Sequence, residues 1–168
     1  MTAKDPVMTR TLSPALAATL ANGHMPMDGI LTAGQPRADQ FASLAAEGIG
    51  TVIDIRAPGE PRGFDEPAAV RAAGMEYHNI PVVAGSLTSA EFDRVRALLR
   101  APEKRPVLFH CASANRVGAL LMPYLVLDAQ RSPDDALRIA NDVGLRSDEL
   151  ARTALDYIHR QQDGRPTR

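Results

Sequence analysis

Four short runs of strand length alternate along this chain with longer segments that carry helix start and stop signals. The runs are DGILTAG, TVIDI, MEYHNI and PVLFH, at residues 28–34, 51–55, 75–80 and 106–110. Helices are predicted between them at 36–48, 65–74 and 88–100, where Pro or capping residues stand at the starts and Gly at two of the ends. This alternation predicts an α/β fold with a mostly parallel central sheet flanked by helices.

The last third of the chain carries helix signals alone. A helix is predicted over residues 116–129, and Pro123 inside it predicts a kink or an early break. Ser132 and Ser147 are N-cap residues of two further helices, and Gly144 ends the first of them. These segments predict a helical C-terminal cap on the sheet.

Length and composition favour one domain over residues 1–168. With 45% hydrophobic and 23% charged residues, the chain has the profile of a globular protein that buries its own core. Residues 1–27 are predicted to form an N-terminal arm with a short surface helix that begins at Ser13 and Pro14. Residues 163–168 are predicted to be a frayed tail.

The charge balance argues against nucleic acid as a partner. The formal net charge is -1, and no run of Lys and Arg is longer than two residues. No apolar run approaches the ~18 residues of a membrane span, and the stretch LSPALAATLA is too poor in large apolar residues for a signal peptide. We therefore expect a cytoplasmic protein whose partners include neither nucleic acid nor a membrane.

Cys111 is the only cysteine in the sequence. A single cysteine can form neither an internal disulfide nor the thiolate cluster of a structural zinc site. A lone cysteine is most often a buried, inert thiol. Its neighbours in the sequence must therefore decide whether it has a chemical role.

The segment VLFHCASANRVGALL places Cys111 at the end of a buried strand and begins a helix five residues later. Amide N–H groups of such a turn point at one spot, and the helix dipole adds positive charge there. Arg116 contributes a planar fork of donors that suits two oxygens of one tetrahedral anion. A thiol in this position is expected to be ionised and nucleophilic. The segment thus predicts an anion-binding loop that contains its own nucleophile.

The residues between these two are small or polar. Ala112, Ser113 and Ala114 allow the loop backbone to approach a ligand closely. The hydroxyl of Ser113 or the amide of Asn115 is expected to fix the loop by hydrogen bonding. For His110 we favour a structural role, hydrogen bonding from behind the loop, over direct proton transfer.

The segment HCASANRVG resembles the signature of the cysteine phosphatases, in which a strand, His-Cys, an amide-rich loop, an Arg and a helix follow one another. The segments ILTAGQP, TVIDIRAPGE, IPV at residues 80–82 and ALRIANDVGL extend the match. Together they resemble a bacterial tyrosine-phosphatase-like family related to domains found beside β-lactamase-type hydrolases, over roughly residues 28–145.

This resemblance implies a fold like that of the dual-specificity phosphatases. It also implies that Cys111 takes up a phosphoryl group as a thiophosphate, while Arg116 and the loop amides of residues 112–116 bind its oxygens. Arginine and amides supply the charge stabilisation, so neither a metal nor another cofactor is implied.

The length of the loop departs from the phosphatase pattern. Four residues separate Cys111 from Arg116, whereas five are typical of tyrosine phosphatases. A loop of this length resembles that of the rhodanese sulfurtransferases, which carry a persulfide. Sulfur transfer from thiosulfate or a persulfide donor therefore stays open beside phosphatase chemistry.

Two further positions also depart from that pattern. Val117 stands where the phosphatases usually carry Ser or Thr, whose hydroxyl helps the thiolate to leave, so turnover of a phosphocysteine is expected to be slow. The segment PVVAGSLT, where a general-acid Asp is usual, contains no acidic residue. The next acidic residue, Glu91, is explained by a capping box.

Three polar residues near the end of the TVIDI strand are candidates for the site. Asp54 lies at the C-terminal end of its strand, on the edge of the sheet where parallel α/β proteins bind ligands. It is the best remaining candidate for an acid or a hydrogen-bond partner. Arg56 and Glu60 follow the strand and are predicted either to line the pocket or to form an exposed ion pair.

The sequence therefore predicts a cysteine-dependent phosphatase of the tyrosine or dual-specificity type. Its substrate would be a phosphorylated protein or a small phosphomonoester. One alternative is a rhodanese-like sulfurtransferase that carries a persulfide on Cys111. The other is a weakly catalytic module that recognises phosphate.

Overall fold

The computed structural model describes residues 11–164. Its strands form one sheet and are β1 His24–Met27, β2 Ile30–Ala33, β3 Thr51–Asp54, β4 Glu76–Asn79 and β5 Val107–His110. Their order across the sheet is β1-β2-β5-β3-β4. Strand β1 runs antiparallel to β2, and all other neighbours are parallel. The mostly parallel sheet predicted from the sequence is therefore confirmed.

The α-helices of the described part are α1 Phe41–Ala46, α2 Glu66–Ala72, α3 Ser89–Arg100, α4 Asn115–Leu127, α5 Pro133–Val143 and α6 Asp148–Asp163. Four of them begin at a residue whose side chain accepts a hydrogen bond from a first-turn amide: Asp65, Thr88, Ser132 and Ser147. Helices α5 and α6 form the predicted C-terminal cap. Within residues 11–164 no helix combines the length and the apolar character that crossing a membrane requires.

The sheet carries a hydrophobic layer on each face, because alternate residues of a strand point to opposite sides. Ile53 and Phe109 belong to the larger layer, which the sheet shares with helices α3 to α6. Val52 and Leu108 belong to the smaller layer, together with Phe41 of α1. The three central strands β2, β5 and β3 are therefore buried on both sides, and only their ends are free to carry a site.

Helix α4 is the central helix of the larger layer. Every residue from 117 to 126 is buried. Pro123 removes one backbone N–H and crowds the preceding turn, yet the helix continues to Leu127. A helix enclosed on all sides is held by its packing, so the predicted early break at Pro123 is wrong.

The N-terminal region differs from the predicted arm. Residues 24–27 form the edge strand β1, with Pro26 at an edge position that tolerates the missing N–H. The predicted surface helix is a short 3-10 helix, Pro14–Thr19, capped by the Ser13 side chain. Residues 1–10 and 165–168 lie outside the described residues, so the remainder of the arm, most of the frayed tail and the single domain over 1–168 stay predictions.

Candidate active site

The loop from residue 111 to 114 joins β5 to α4 at the C-terminal edge of the sheet. His110, the last residue of β5, lies between Ala33 of β2 and Asp54 of β3. The loop ends at Ala114, which has a φ of +70° and adopts the left-handed conformation. Residues other than glycine seldom adopt it, and such local strain often accompanies a functional loop.

Three successive carbonyl groups of this loop are held by donors behind it. The donors are His110 Nδ1 at 3.3 Å from the carbonyl oxygen of Cys111, the Gln35 amide at 3.0 Å from that of Ala112, and Asn22 Nδ2 at 3.2 Å from that of Ser113. In a trans peptide the N–H points opposite to the carbonyl, so the amides of residues 112–114 point away from these donors.

The amides of the loop and of the first turn of α4 are available to a ligand. Among residues 11–164 no acceptor receives a hydrogen bond from the backbone N–H groups of residues 112–116. Unpaired N–H groups at the start of a helix, together with the helix dipole, form a site that favours a negative charge. This arrangement of amides can bind an anion, as the sequence predicts.

The guanidinium of Arg116 is oriented by two partners outside α4. Nη1 and Nη2 donate to the Glu60 carboxylate at 2.7 and 2.6 Å, and Nη1 also donates to the carbonyl of Val82 at 2.9 Å. These bonds use three of the five N–H groups of the guanidinium. The other two, on Nε and Nη2, share one side edge and meet no oxygen acceptor among the described residues. That edge can bind two oxygens of one anion.

The pairing of Arg116 with Glu60 changes the protonation behaviour of both groups. The bond to Glu60 is the main cause that raises the pKa of Arg116, and the nearby sulfur of Cys111 adds to it. In turn, the hydrogen bonds from Arg116 lower the pKa of Glu60. Glu60 also accepts a bond from the Ala57 amide at 2.5 Å. Glu60 is thus an ionised carboxylate that orients Arg116.

Cys111 is fully buried at the base of the loop. Beside it, Arg116 and Glu60 face a cleft of about 330 Å³ and are its only charged lining residues within the described part of the chain. The other lining residues are Ala57, Val82, Val83, Ala84, Asn115, Ser147 and Leu150. Cys111 itself lines neither this cleft nor the larger groove of about 710 Å³ between α5 and α6, but Arg116, whose guanidinium lies close to the Cys111 sulfur, lines the smaller one. The smaller cleft is therefore the one relevant to chemistry at the thiol.

Asp54 lies behind the loop in a buried ion network. Its carboxylate accepts hydrogen bonds from Arg56 N, Nε and Nη2 at 3.0, 2.9 and 2.8 Å, from Arg62 Nη1 at 2.8 Å and from the Tyr77 hydroxyl at 2.6 Å. Burial alone would raise the pKa of Asp54, but the hydrogen bonds from Arg56 overcome that effect and hold the pKa well below its usual range. A general acid must carry a proton, so this geometry corrects the interpretation of Asp54 as an acid and leaves that of a hydrogen-bond partner.

Arg56 belongs to the same network and does not line the cleft. Its guanidinium is buried between Asp54 and Glu66, and Nη2 donates to both carboxylates. The prediction that Arg56 lines the pocket is therefore corrected, because two buried carboxylates draw its side chain inward. Asp54, Glu66 and His110 bring three possible metal ligands within 4.8 Å of one another. Arg56 already supplies a positive charge between the two carboxylates of this cluster.

Glu66 is a site residue that sequence reasoning missed. Its Oε1 lies 2.8 Å from Nε2 of His110, although the two atoms are not aligned for a hydrogen bond. His110 Nδ1 lies 3.3 Å from the carbonyl oxygen of Cys111. Because a carbonyl oxygen can only accept a hydrogen bond, this contact places a proton on Nδ1. The only sequence signal for Glu66 is its place in the first turn of α2, where the helix dipole already favours an acid.

The two polar side chains expected to fix the loop behave differently. Asn115 Oδ1 accepts a hydrogen bond from the amide of Arg146 at 2.7 Å, which ties the start of α4 to the connection between α5 and α6. Ser113 contributes its carbonyl, and its hydroxyl makes no hydrogen bond within residues 11–164. The loop is thus fixed mainly through its backbone.

Comparisons with known proteins show the family to which this chain belongs. The family model of the phosphatase-like domain of Beta-lactamase hydrolase-like protein matches residues 27–122. The Beta-lactamase hydrolase-like protein of Xylella fastidiosa is 31% identical over 132 residues, which are 76% of this chain and 30% of that protein. The chain therefore spans less than a third of the length of this relative.

Solved structures share the fold at lower identity. A DUF442 protein from Shewanella putrefaciens superimposes with a TM-score of 0.74 at 20% identity, over 89% of this chain and 98% of that one. TpbA of P. aeruginosa, crystallised in complex with phosphotyrosine, gives a TM-score of 0.64 at 19% identity, over 96% of this chain and 100% of that one. Since the family match covers more than half of the sequence, the chain belongs to the family of phosphatase-like domains of the beta-lactamase hydrolase-like proteins.

Proposed function

We propose that this chain is a cysteine-dependent phosphatase that hydrolyses phosphomonoesters through a phosphocysteine intermediate. One observation carries the proposal: the unpaired amides of residues 112–116 and the free edge of Arg116 belong to the same short loop as Cys111. An anion held by these donors lies next to the nucleophile. Donors fixed before the reaction are the largest source of stabilisation for a developing negative charge.

In the first step, the thiolate of Cys111 attacks phosphorus. The S–P bond forms as the P–O bond to the leaving group breaks, and the leaving oxygen takes the electron pair. The loop amides and the Nε and Nη2 groups of Arg116 bind the equatorial oxygens. Glu60 and Val82 hold the guanidinium in place, so little reorganisation accompanies the reaction.

In the second step, water attacks the phosphorus of the phosphocysteine. The S–P bond breaks, orthophosphate leaves and the thiolate of Cys111 is restored. Cys111 has no exposed surface, so substrate binding requires the cleft to open above it.

The substrate class proposed from the sequence is a phosphorylated protein or a small phosphomonoester. The phosphatase-like family supports a phosphorylated substrate, and the complex of TpbA with phosphotyrosine supports a phenolic ester within that class. A cytoplasmic location is part of the same proposal.

Sulfur transfer is the second candidate. The spacing of four residues between Cys111 and Arg116 favours it, because this loop is the length that carries a persulfide in the rhodanese sulfurtransferases. The thiolate of Cys111 would then attack the outer sulfur of thiosulfate, so that the S–S bond of thiosulfate breaks, sulfite leaves with the electron pair and Cys111 carries a persulfide. Attack by a thiol acceptor on the outer sulfur of this persulfide would restore the thiolate.

Paired assays distinguish these functions. Wild type and Cys111→Ser are compared with p-nitrophenyl phosphate, and separately with thiosulfate and cyanide, after thermal unfolding has shown that both are folded. We expect phosphate hydrolysis by wild type alone, because a serine hydroxyl is not ionised near neutral pH. Cysteine-dependent thiocyanate formation without hydrolysis would favour sulfur transfer. Tight phosphate binding without either reaction would favour a recognition module.

A further inference from the structure

Among residues 11–164, no side chain of the cleft beside Cys111 is placed to protonate a leaving group. Glu60 is the only acidic residue of the cleft in the described part of the chain. Both of its carboxylate oxygens are bound by Arg116, and one is also bound by the Ala57 amide. A carboxylate held in this way stays ionised, as its lowered pKa indicates.

The segment over the cleft, residues 82–84, contributes apolar side chains instead of an acid. Glu91, the first acid after this segment, accepts hydrogen bonds from the amide and the hydroxyl of Thr88 at 2.9 and 2.6 Å and caps α3. Asp54 is enclosed in the ion network behind the loop. Neither carboxyl group is available to the reacting oxygen.

We propose that the substrates are phosphoryl compounds whose leaving group is an apolar aryl or acyl group that departs without a proton. This inference rests on the phosphatase function proposed above and narrows it. In the first step the leaving oxygen departs as a free anion with the electron pair of the P–O bond and takes a proton from water afterwards. Acyl phosphates and electron-poor aryl phosphates meet this requirement, and alkyl phosphates such as phosphoserine do not.

The charge of the cleft also limits which leaving groups it can accept. Arg116 is its only cation within the described residues. One phosphoryl group bound at the loop would use that positive charge. Val82, Val83, Ala84 and Leu150 form apolar walls beside it. A leaving group that is itself a phosphate chain would bring several negative charges to these walls without a partner. Pyrophosphate and other compounds with a P–O–P linkage are therefore disfavoured, even though their leaving groups need no proton.

The test is the dependence of kcat/KM on the leaving group. Dinitrophenyl, nitrophenyl, chlorophenyl and phenyl phosphates, acetyl phosphate, phosphoserine and pyrophosphate are compared with wild type. Because general acid catalysis contributes roughly 10²- to 10⁴-fold, its absence should slow phenyl phosphate and phosphoserine by about that factor relative to dinitrophenyl phosphate. Acetyl phosphate should rank with the fastest aryl substrates and pyrophosphate with the slowest.

The variant Glu60→Gln provides the internal check. If Glu60 only orients Arg116, the variant slows every substrate by the same factor. A plot of log kcat/KM against the pKa of the leaving group then has the same slope as for wild type. If the variant slows phenyl phosphate far more than dinitrophenyl phosphate, Glu60 is the acid and the inference is wrong. Cysteine-dependent hydrolysis of phosphoserine within tenfold of nitrophenyl phosphate, or a preference for pyrophosphate, would also overturn it. Equal rates for wild type and Cys111→Ser on dinitrophenyl phosphate would instead overturn the proposed function itself.

Discussion

Glu60 binds the end of the Arg116 guanidinium with both carboxylate oxygens, at 2.6 and 2.7 Å, and leaves the donors of its side edge without an oxygen acceptor among the described residues. The two residues are 56 positions apart in the sequence. An unsupported arginine loses rotamer freedom when it binds an anion. With Glu60 in place, the side chain of Arg116 already loses this rotamer freedom when the protein folds. The side edge is therefore aligned before the anion binds.

Replacing Glu60 tests this alignment. Glu60→Gln removes the charge and one acceptor oxygen but keeps the shape of the side chain. We expect kcat/KM for p-nitrophenyl phosphate to fall about tenfold to a hundredfold, because a hydrogen bond to a charged group contributes ~1.5 to 3 kcal/mol. Glu103→Gln, in the 3-10 turn Pro102–Lys104, is the matched control and should leave the rate unchanged. An equal rate for Glu60→Gln and wild type would show that Arg116 needs no partner.

Replacing Arg116 by lysine tests the side edge directly. Lysine keeps the charge but offers a single point of contact in place of two parallel donors. Loss of one such fixed donor costs ~2.7 to 4 kcal/mol, so we expect kcat to fall roughly 10²- to 10³-fold. Arg138→Lys, on the exposed face of α5, is the control. A decrease of less than threefold would mean that Arg116 serves only to anchor residues 60 and 82.

The network around Asp54 is expected to stabilise the fold. Asp54→Asn leaves Arg56 and Arg62 without the full negative charge that they share. Removing one partner of a buried ion pair costs ~3 to 5 kcal/mol, which urea unfolding at pH 7 can measure. Asp39→Asn, whose exposed carboxylate pairs with Arg37, should change the free energy of unfolding by less than ~0.5 kcal/mol.

The stability difference between wild type and Asp54→Asn should also depend on pH, in a direction that the pKa of Asp54 determines. The pKa of Asp54 is lowered in the folded state by its hydrogen bonds from Arg56, against the opposing effect of burial. Its stabilisation is therefore fully present above the unfolded value of ~3.9 and is lost as the pH falls through the folded pKa. The difference in unfolding free energy between wild type and Asp54→Asn should be constant from pH 7 to about 5 and shrink in stronger acid. A constant difference down to pH 2 would mean that Asp54 stabilises by packing alone.

The parts of the site that could be predicted from the sequence are those whose residues are neighbours in the chain. Cys111, the loop after it and Arg116 lie within six residues, and a strand before them and a helix after them fix their geometry. The parallel sheet was predictable for a similar reason, because its central strands β2, β3 and β5 are short, mostly apolar runs. Short-range pattern and local propensity were sufficient in both cases.

Contacts between distant residues were not predictable in this way. Arg56 and Glu60 stand four positions apart in one polar segment, yet Arg56 turns inward to Asp54 while Glu60 reaches Arg116. No local preference separates these two outcomes, because they depend on which charges the fold buries. Strand β1 was missed because its edge position leaves it only half-buried and its sequence, HMPM, contains a proline.

The final prediction concerns Val117, the buried residue that follows Arg116. Without a hydroxyl at this position, the departing thiolate of the phosphocysteine lacks one hydrogen bond, and the second step should be slower than the first. Stopped-flow measurement with dinitrophenyl phosphate should then show a burst of one dinitrophenolate per Cys111, followed by slow turnover. Val117→Thr keeps the volume and adds a donor worth ~0.5 to 1.5 kcal/mol, so the slow phase should accelerate about twofold to twelvefold while the burst is unchanged. Val117→Ala adds no donor and should not accelerate it, and a wild type without a burst would show that formation of the phosphocysteine limits the rate instead.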